Sequence, residues 1–128
     1  YIWSRCLTEM RVNSISDSSA RICAGGKLSG YKGKMPGVLE EIILSISDKK
    51  PLFLIGAFGG VTLEVCKTIL RKNITDPLTE EWQLSMNSGY QELQDIAHTT
   101  GYGCDYDLIA SDILSVSIHD LYGDNLTA

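Results

Sequence analysis

The residues best placed to do chemistry lie in AGGKLSGYKGKMPG, residues 24–37. Between Ser18 and Leu39 the chain carries four cations, Arg21, Lys27, Lys32 and Lys34, and no acid, although its formal net charge is -5. Paired glycines, Gly25 and Gly26, let a ligand approach the main chain and permit positive φ. Lysines around such a loop suit a phosphate. Charge alone leaves a second reading open, a solvated connection whose lysines face water. A similar loop follows later, Gly56-Ala57-Phe58-Gly59-Gly60. Tyr31 and Phe58 are the aromatics of the two loops, fit either to stack on a base or to pack down. Glu41, beside Val38, can point toward the first loop.

Both loops belong to strand–loop–helix units. Trp3, Cys6, Leu7 and Met10 recur at helical spacing and predict a helix over about residues 2 to 15. ARICAG reads as a short buried strand. Pro36 takes the first position of a helix with Val38, Leu39, Ile42, Ile43 and Ile46 on its apolar face. PLFLIG is a second strand, apolar throughout, as parallel strands covered on both faces tend to be. A helix follows over about Val61 to Arg71. Thr79-Glu80-Glu81 opens a long helix to about Thr99, and Asp105 to Val116 reads as another. The alternation implies parallel strands joined by right-handed crossovers, with the glycine loops where helices begin and ligands bind in open α/β sheets.

Composition narrows the function. The chain has 128 residues, 44% of them hydrophobic, which suits one domain with a real core. Its acidity argues against direct nucleic-acid binding. No apolar run approaches the roughly 18 residues that span a bilayer. Cys6, Cys23, Cys66 and Cys104 fit no zinc motif and read as reduced thiols of a cytoplasmic protein; His98 and His119 lie in segments unrelated to them. No metal or cofactor is expected. The sequons at Asn73 and Asn125 read as chance. The GYGCDY turn offers little beyond lining a pocket.

LTEMR, SARICAGGKLSGYKGKMPGVLEEI and KPLFLIGAFGGVTLEV together resemble the SLOG superfamily, Rossmann-like domains named after the DNA-processing Smf and cytokinin-activating LOG proteins. Arg5, Glu9 and Met10 match the arginine-bearing helix of the LOG enzymes, with the arginine one residue further from the glutamate. Gly25 and Gly26 match the paired glycines, and Pro36 to Glu41 stands in the helix-opening segment. The lysine-bearing loop is an insertion relative to LOG. It is more similar to SLOG domains found beside effectors in bacterial anti-phage systems, which are thought to sense nucleotide-derived signals such as cyclic ADP-ribose isomers. The resemblance covers about residues 5 to 70.

The resemblance implies a three-layer Rossmann-like α/β domain over residues 1–128, cut at both ends and lacking its first strand. Its ligand would be a nucleotide-derived small molecule. Lys27, Lys32 and Lys34 would meet phosphates, with hydrogen bonds from Gly25, Gly26, Gly56, Gly59 and Gly60. Tyr31 or Phe58 would meet the base, and Glu41 a ribose hydroxyl. The alternative it implies is a LOG-like nucleotide phosphoribohydrolase, in which Arg5 holds phosphate and Glu41 assists departure of the base or activates water. Relatives also suggest a homo-oligomer and a fused or partner effector. Trp82, Met86, Tyr90 and Leu93 form a stripe that suits either core or interface.

Overall fold

The computed structural model describes residues 1–116; His119 and the Asn125 sequon lie outside them. The element order is α1 (Ile2–Ser16), β1 (Arg21–Ala24), α2 (Gly37–Ser47), β2 (Leu52–Ile55), α3 (Gly60–Arg71), α4 (Glu80–Met86), α5 (Tyr90–Thr99) and α6 (Tyr106–Ser115). Short 3-10 turns at Gly56–Phe58 and Asp76–Leu78 precede α3 and α4. This is a helix-rich α/β arrangement around a small parallel sheet.

The two strands pair as the alternation predicts, parallel and with Arg21 opposite Leu52 through Ala24 opposite Ile55. Their carboxyl ends therefore coincide, and both glycine loops leave the sheet at one end. Helices α2 and α3 pack on the strands and on each other, and α6 packs on both. The core they enclose contains Cys23, Leu39, Ile42, Val61, Val65, Ile69, Ile109 and Ile113. On β1 only Cys23 is buried; Ile22 and Ala24 face the other way and are exposed.

One segment departs from its expected form. The single helix expected from Thr79 to Thr99 is two, separated at Asn87–Gly89. Gly89 adopts a left-handed φ of 77°, and the Asn87 side chain bonds back to the Gln83 carbonyl and forward to the Gly30 amide. Of the stripe read along that segment, Tyr90 is buried, Trp82 and Leu93 are half-buried and Met86 is exposed.

Helix α1 forms over nearly the expected residues, but its apolar residues do not set the face it buries. Trp3 and Met10, the ends of its apolar stripe, are 63% and 56% exposed. The face turned to α2 instead carries Ser4, Thr8, Arg11 and Ile15, a helical i, i+4, i+7, i+11 row. A polar row packs there because α2 presents a carboxylate to it. Glu40, only 2% exposed, accepts a 2.6 Å bond from Arg11 Nη1 and a 2.6 Å bond from the Thr8 hydroxyl.

Candidate ligand site

At the carboxyl ends of the strands the two glycine loops meet backbone to backbone. The Val61 amide donates to the Gly26 carbonyl at 3.1 Å, and the Thr62 amide and hydroxyl donate to Gly25 at 2.9 and 3.0 Å. Gly60, at φ 65°, is what permits this: a Cβ there would lie 2.3 Å from the Gly26 oxygen. Two of the amides at the amino end of α3 are thereby taken by the chain itself. Gly56 sits in ordinary contact with Cys66 and Leu63, Gly59 borders open space, and Phe58 projects outward, 76% exposed.

The lysine loop is anchored, not free. The Gly30 amide donates to Asn87 Oδ1 at 2.9 Å. Tyr31 packs edge-on against Tyr90, with ring centroids 5.8 Å apart, and its hydroxyl bonds Gln83. The Tyr90 hydroxyl donates to the Lys34 carbonyl at 2.5 Å and meets the Tyr106 hydroxyl at 2.8 Å. Burial raises the pKa of all three tyrosines, Tyr31 to about 12. Tyr31 thus spans loop and core. Lys27 and Lys32 remain exposed, while Lys34 is half-buried.

Lys34 faces a cavity of about 120 Å³ between α1, α5 and the lysine loop. Arg5, Thr8 and Glu9 from α1 line it, with Ala97 of α5 and Tyr102 beyond it. The structure therefore joins the arginine and glutamate of α1 to one of the three loop lysines. Arg5 lies over the Tyr102 ring, its Cζ 3.4 Å from the centroid, and is 3.8 Å from Glu9. Behind the cavity stands the Arg11–Glu40 pair, with Thr8 belonging to both. Gly33 and Gly37 make room for the Arg11 guanidinium: a Cβ on Gly37 would lie 2.6 Å from Nη2.

The carboxylate that α2 turns toward α1 is Glu40. Glu41, named from the sequence, is bonded at 2.8 Å to Arg21 at the amino end of β1, away from the glycine junction. Arg11, Thr8, Glu40 and Tyr102 were not legible as site residues. The available signal was the row Ser4, Thr8, Arg11 and Ile15, whose helical spacing mixes polar residues with one apolar residue.

A larger cavity, about 610 Å³, opens on the far side of α6 and includes Gly101 and Gly103–Tyr106 of the GYGCDY turn. Its acids have local roles. Asp105 caps α6 by accepting the Asp107 and Leu108 amides, and Glu80 and Glu81 occupy the first turn of α4. No described helix is long and apolar enough to cross a membrane.

The sequence model of the family described as SLOG cluster2 matches residues 1–127. The chain belongs to the SLOG cluster2 family. No curated protein and no solved structure matches it. In this SLOG cluster2 chain the paired glycines close on a second glycine turn. The space that Arg5, Glu9 and Lys34 line lies elsewhere, where α1 meets the lysine loop.

Proposed function

We propose that this SLOG cluster2 domain binds a nucleotide-derived, phosphate-bearing ligand and reports its presence to an attached or partner effector. One observation carries the reading: Arg5 and Lys34, from separate elements of an acidic chain, converge on one cavity. Opposed cations around a partly enclosed space attract an anion more strongly than the same charges in open water. Lys27 and Lys32, exposed on the adjoining loop, extend that field outward. Phe58 offers a free aromatic face for a base, with Gly25, Gly26, Gly59 and Gly60 below it. Cyclic ADP-ribose isomers and other adenosine nucleotides are the ligands to try first, and signalling in anti-phage defence is the setting the family suggests.

The same reading includes a cytoplasmic location and self-association, for which the uncovered side of α1 with Trp3 and Met10 is the available apolar face. It also takes the strand pair as part of a three-layer Rossmann-like sheet, in which a second helical layer covers Ile22 and Ala24. Glu40 and Glu41 are each engaged by an arginine, which supports a binding role over a phosphoribohydrolase that needs a carboxylate at the scissile bond. Calorimetry with cyclic ADP-ribose isomers and adenosine nucleotides tests the reading, alongside incubation with nucleoside monophosphates. Saturable binding with the nucleotide recovered intact is expected. Released base would make the domain a hydrolase, and no binding of any nucleotide would end the proposal.

A further inference from the structure

We propose that Tyr102 is a positioning residue for an oxyanion subsite, holding the Arg5 guanidinium flat so that it and Lys34 together receive one phosphoryl group. The inference rests on the ligand reading above for the identity of the anion, but the subsite itself is defined by residues that the sequence did not bring together.

A guanidinium stacked on an aromatic ring uses its π face for the ring and keeps its N–H edge for hydrogen bonds. With Cζ 3.4 Å above the Tyr102 centroid, Arg5 is in that arrangement, and its edge borders the cavity that Lys34 enters. Stacking also removes rotamer freedom from a long side chain before any ligand arrives, which lowers the entropic cost of binding. The internal competitor is Glu9, but it is 64% exposed and its oxygen is 3.8 Å from Arg5, a weak, solvent-screened contact.

Lys34 is equally prepared. Its carbonyl is fixed by the Tyr90 hydroxyl, so the side chain leaves an anchored backbone. Thr8 lines the same cavity with its hydroxyl given to Glu40. The space of about 120 Å³ corresponds to about four waters at ~30 Å³ each. That is room for the oxygens of one phosphoryl group within the cavity.

The experiment titrates the 128-residue chain with inorganic phosphate and separately with pyrophosphate, following amide resonances by NMR. Phosphate is expected to shift Arg5, Thr8, Lys34 and Tyr102 saturably, and pyrophosphate to bind no more tightly. Tyr102→Leu should weaken phosphate by about threefold to tenfold, the range of a partly desolvated cation–π contact. Tyr102→Phe, which keeps the ring, should restore binding to within about twofold of the parent. Arg5→Lys, which keeps charge but cannot stack in this way, should fall with Tyr102→Leu. Equal losses in Tyr102→Leu and Tyr102→Phe, or no loss in either, would overturn the positioning role. Tighter binding of pyrophosphate would overturn the single-phosphoryl subsite, as would phosphate shifts that miss Arg5 and Lys34. If phosphate binds here and no nucleotide binds, the subsite stands and the broader function falls. If a nucleotide binds and phosphate does not, the function stands and this inference falls.

Discussion

The glycine junction below the sheet and the seam between α1 and α2 are both tight contacts, yet they are built in opposite ways. At the junction, backbone meets backbone: Gly25 and Gly26 carbonyls take the Val61 and Thr62 amides, and the absence of side chains permits the approach. At the seam, side chain meets side chain: Glu40 is buried only because Arg11 and Thr8 satisfy it. The first closes completely on itself. The second leaves a cavity beside it with Arg5 and Lys34 on the walls. A glycine-rich strand end is therefore not by itself an open anion site; here the opening lies beside the seam, between α1, α5 and the lysine loop.

The seam is where a single change should do most damage. Arg11→Ala strands the Glu40 carboxylate at 2% exposure, and removing one partner of a buried pair costs about 3–5 kcal/mol. Urea unfolding of the variant should show that loss in the midpoint. The double change Arg11→Met with Glu40→Leu removes both charges and should recover most of it. If Arg11→Ala costs under about 1 kcal/mol, the level of an exposed pair, the seam is not held by this charge.

Sequence reading succeeded where hydrophobicity alone fixes the outcome. ARICAG and PLFLIG are continuous apolar runs between breakers, and both became strands at nearly the expected limits. It placed α1 at nearly its observed limits but not the face that α1 buries, for a definable reason. Counting apolar periodicity scores Arg11 as solvent-facing, and it can be inward only if a partner waits on another element. That partner, Glu40, is 29 residues away and looks like an ordinary first-turn acid. The split of the helix expected over residues 79 to 99 was hidden similarly. Asn87 breaks it by bonding to Gly30 of the lysine loop, a contact that exists only after the fold has formed. Lys34 was among the residues named, but its meeting with Arg5 at one cavity depends on the path of a loop pinned by Tyr31 and Tyr90.

The junction should respond to added volume more than to charge. Gly60→Ala places a Cβ 2.3 Å from the Gly26 oxygen at a φ of 65°. Left-handed backbone costs about 1–2 kcal/mol and overpacking about 1–3, so a loss of about 3 kcal/mol is expected in thermal or urea unfolding. Gly89→Ala meets open space at a left-handed φ of 77° and should lose only the conformational part. Equal losses at the two positions would mean that close approach is not what Gly60 provides.

Alkaline pH should lower the stability of the fold through a buried tyrosine and a buried thiol. Burial raises Tyr31 from 10.0 to about 12 and Cys104 from 9.0 to about 12. Each group is neutral when protonated, and the folded state keeps its proton to higher pH than the unfolded state. Stability is therefore fully present below about pH 9 and falls as pH rises toward 12, because the unfolded chain releases protons first. Urea midpoints at pH 7.5, 9 and 10.5, under reducing conditions, should be level over the first interval and drop over the second. A midpoint that rises above pH 9 would contradict the burial of these groups.

The smallest effect on stability, and the one that separates the cavity from the loop around it, concerns Lys27 and Lys32. Both are exposed and Lys34 is half-buried. Exposed charges act on a ligand through a field that salt screens within about 10 Å at 0.1 M, whereas cations beside a partly enclosed space keep more of their effect. The double change Lys27→Ala with Lys32→Ala should leave the unfolding midpoint within about 0.5 kcal/mol of the parent. With a linear ADP-ribose probe it should lower affinity by about twofold to fivefold at low salt, and the gap should close as salt is added. Lys34→Ala should lose more, and keep losing it at high salt. If the double variant retains both the affinity and the salt slope of the parent, the outer lysines belong to a solvated connection, and binding is left to Arg5 and Lys34 alone.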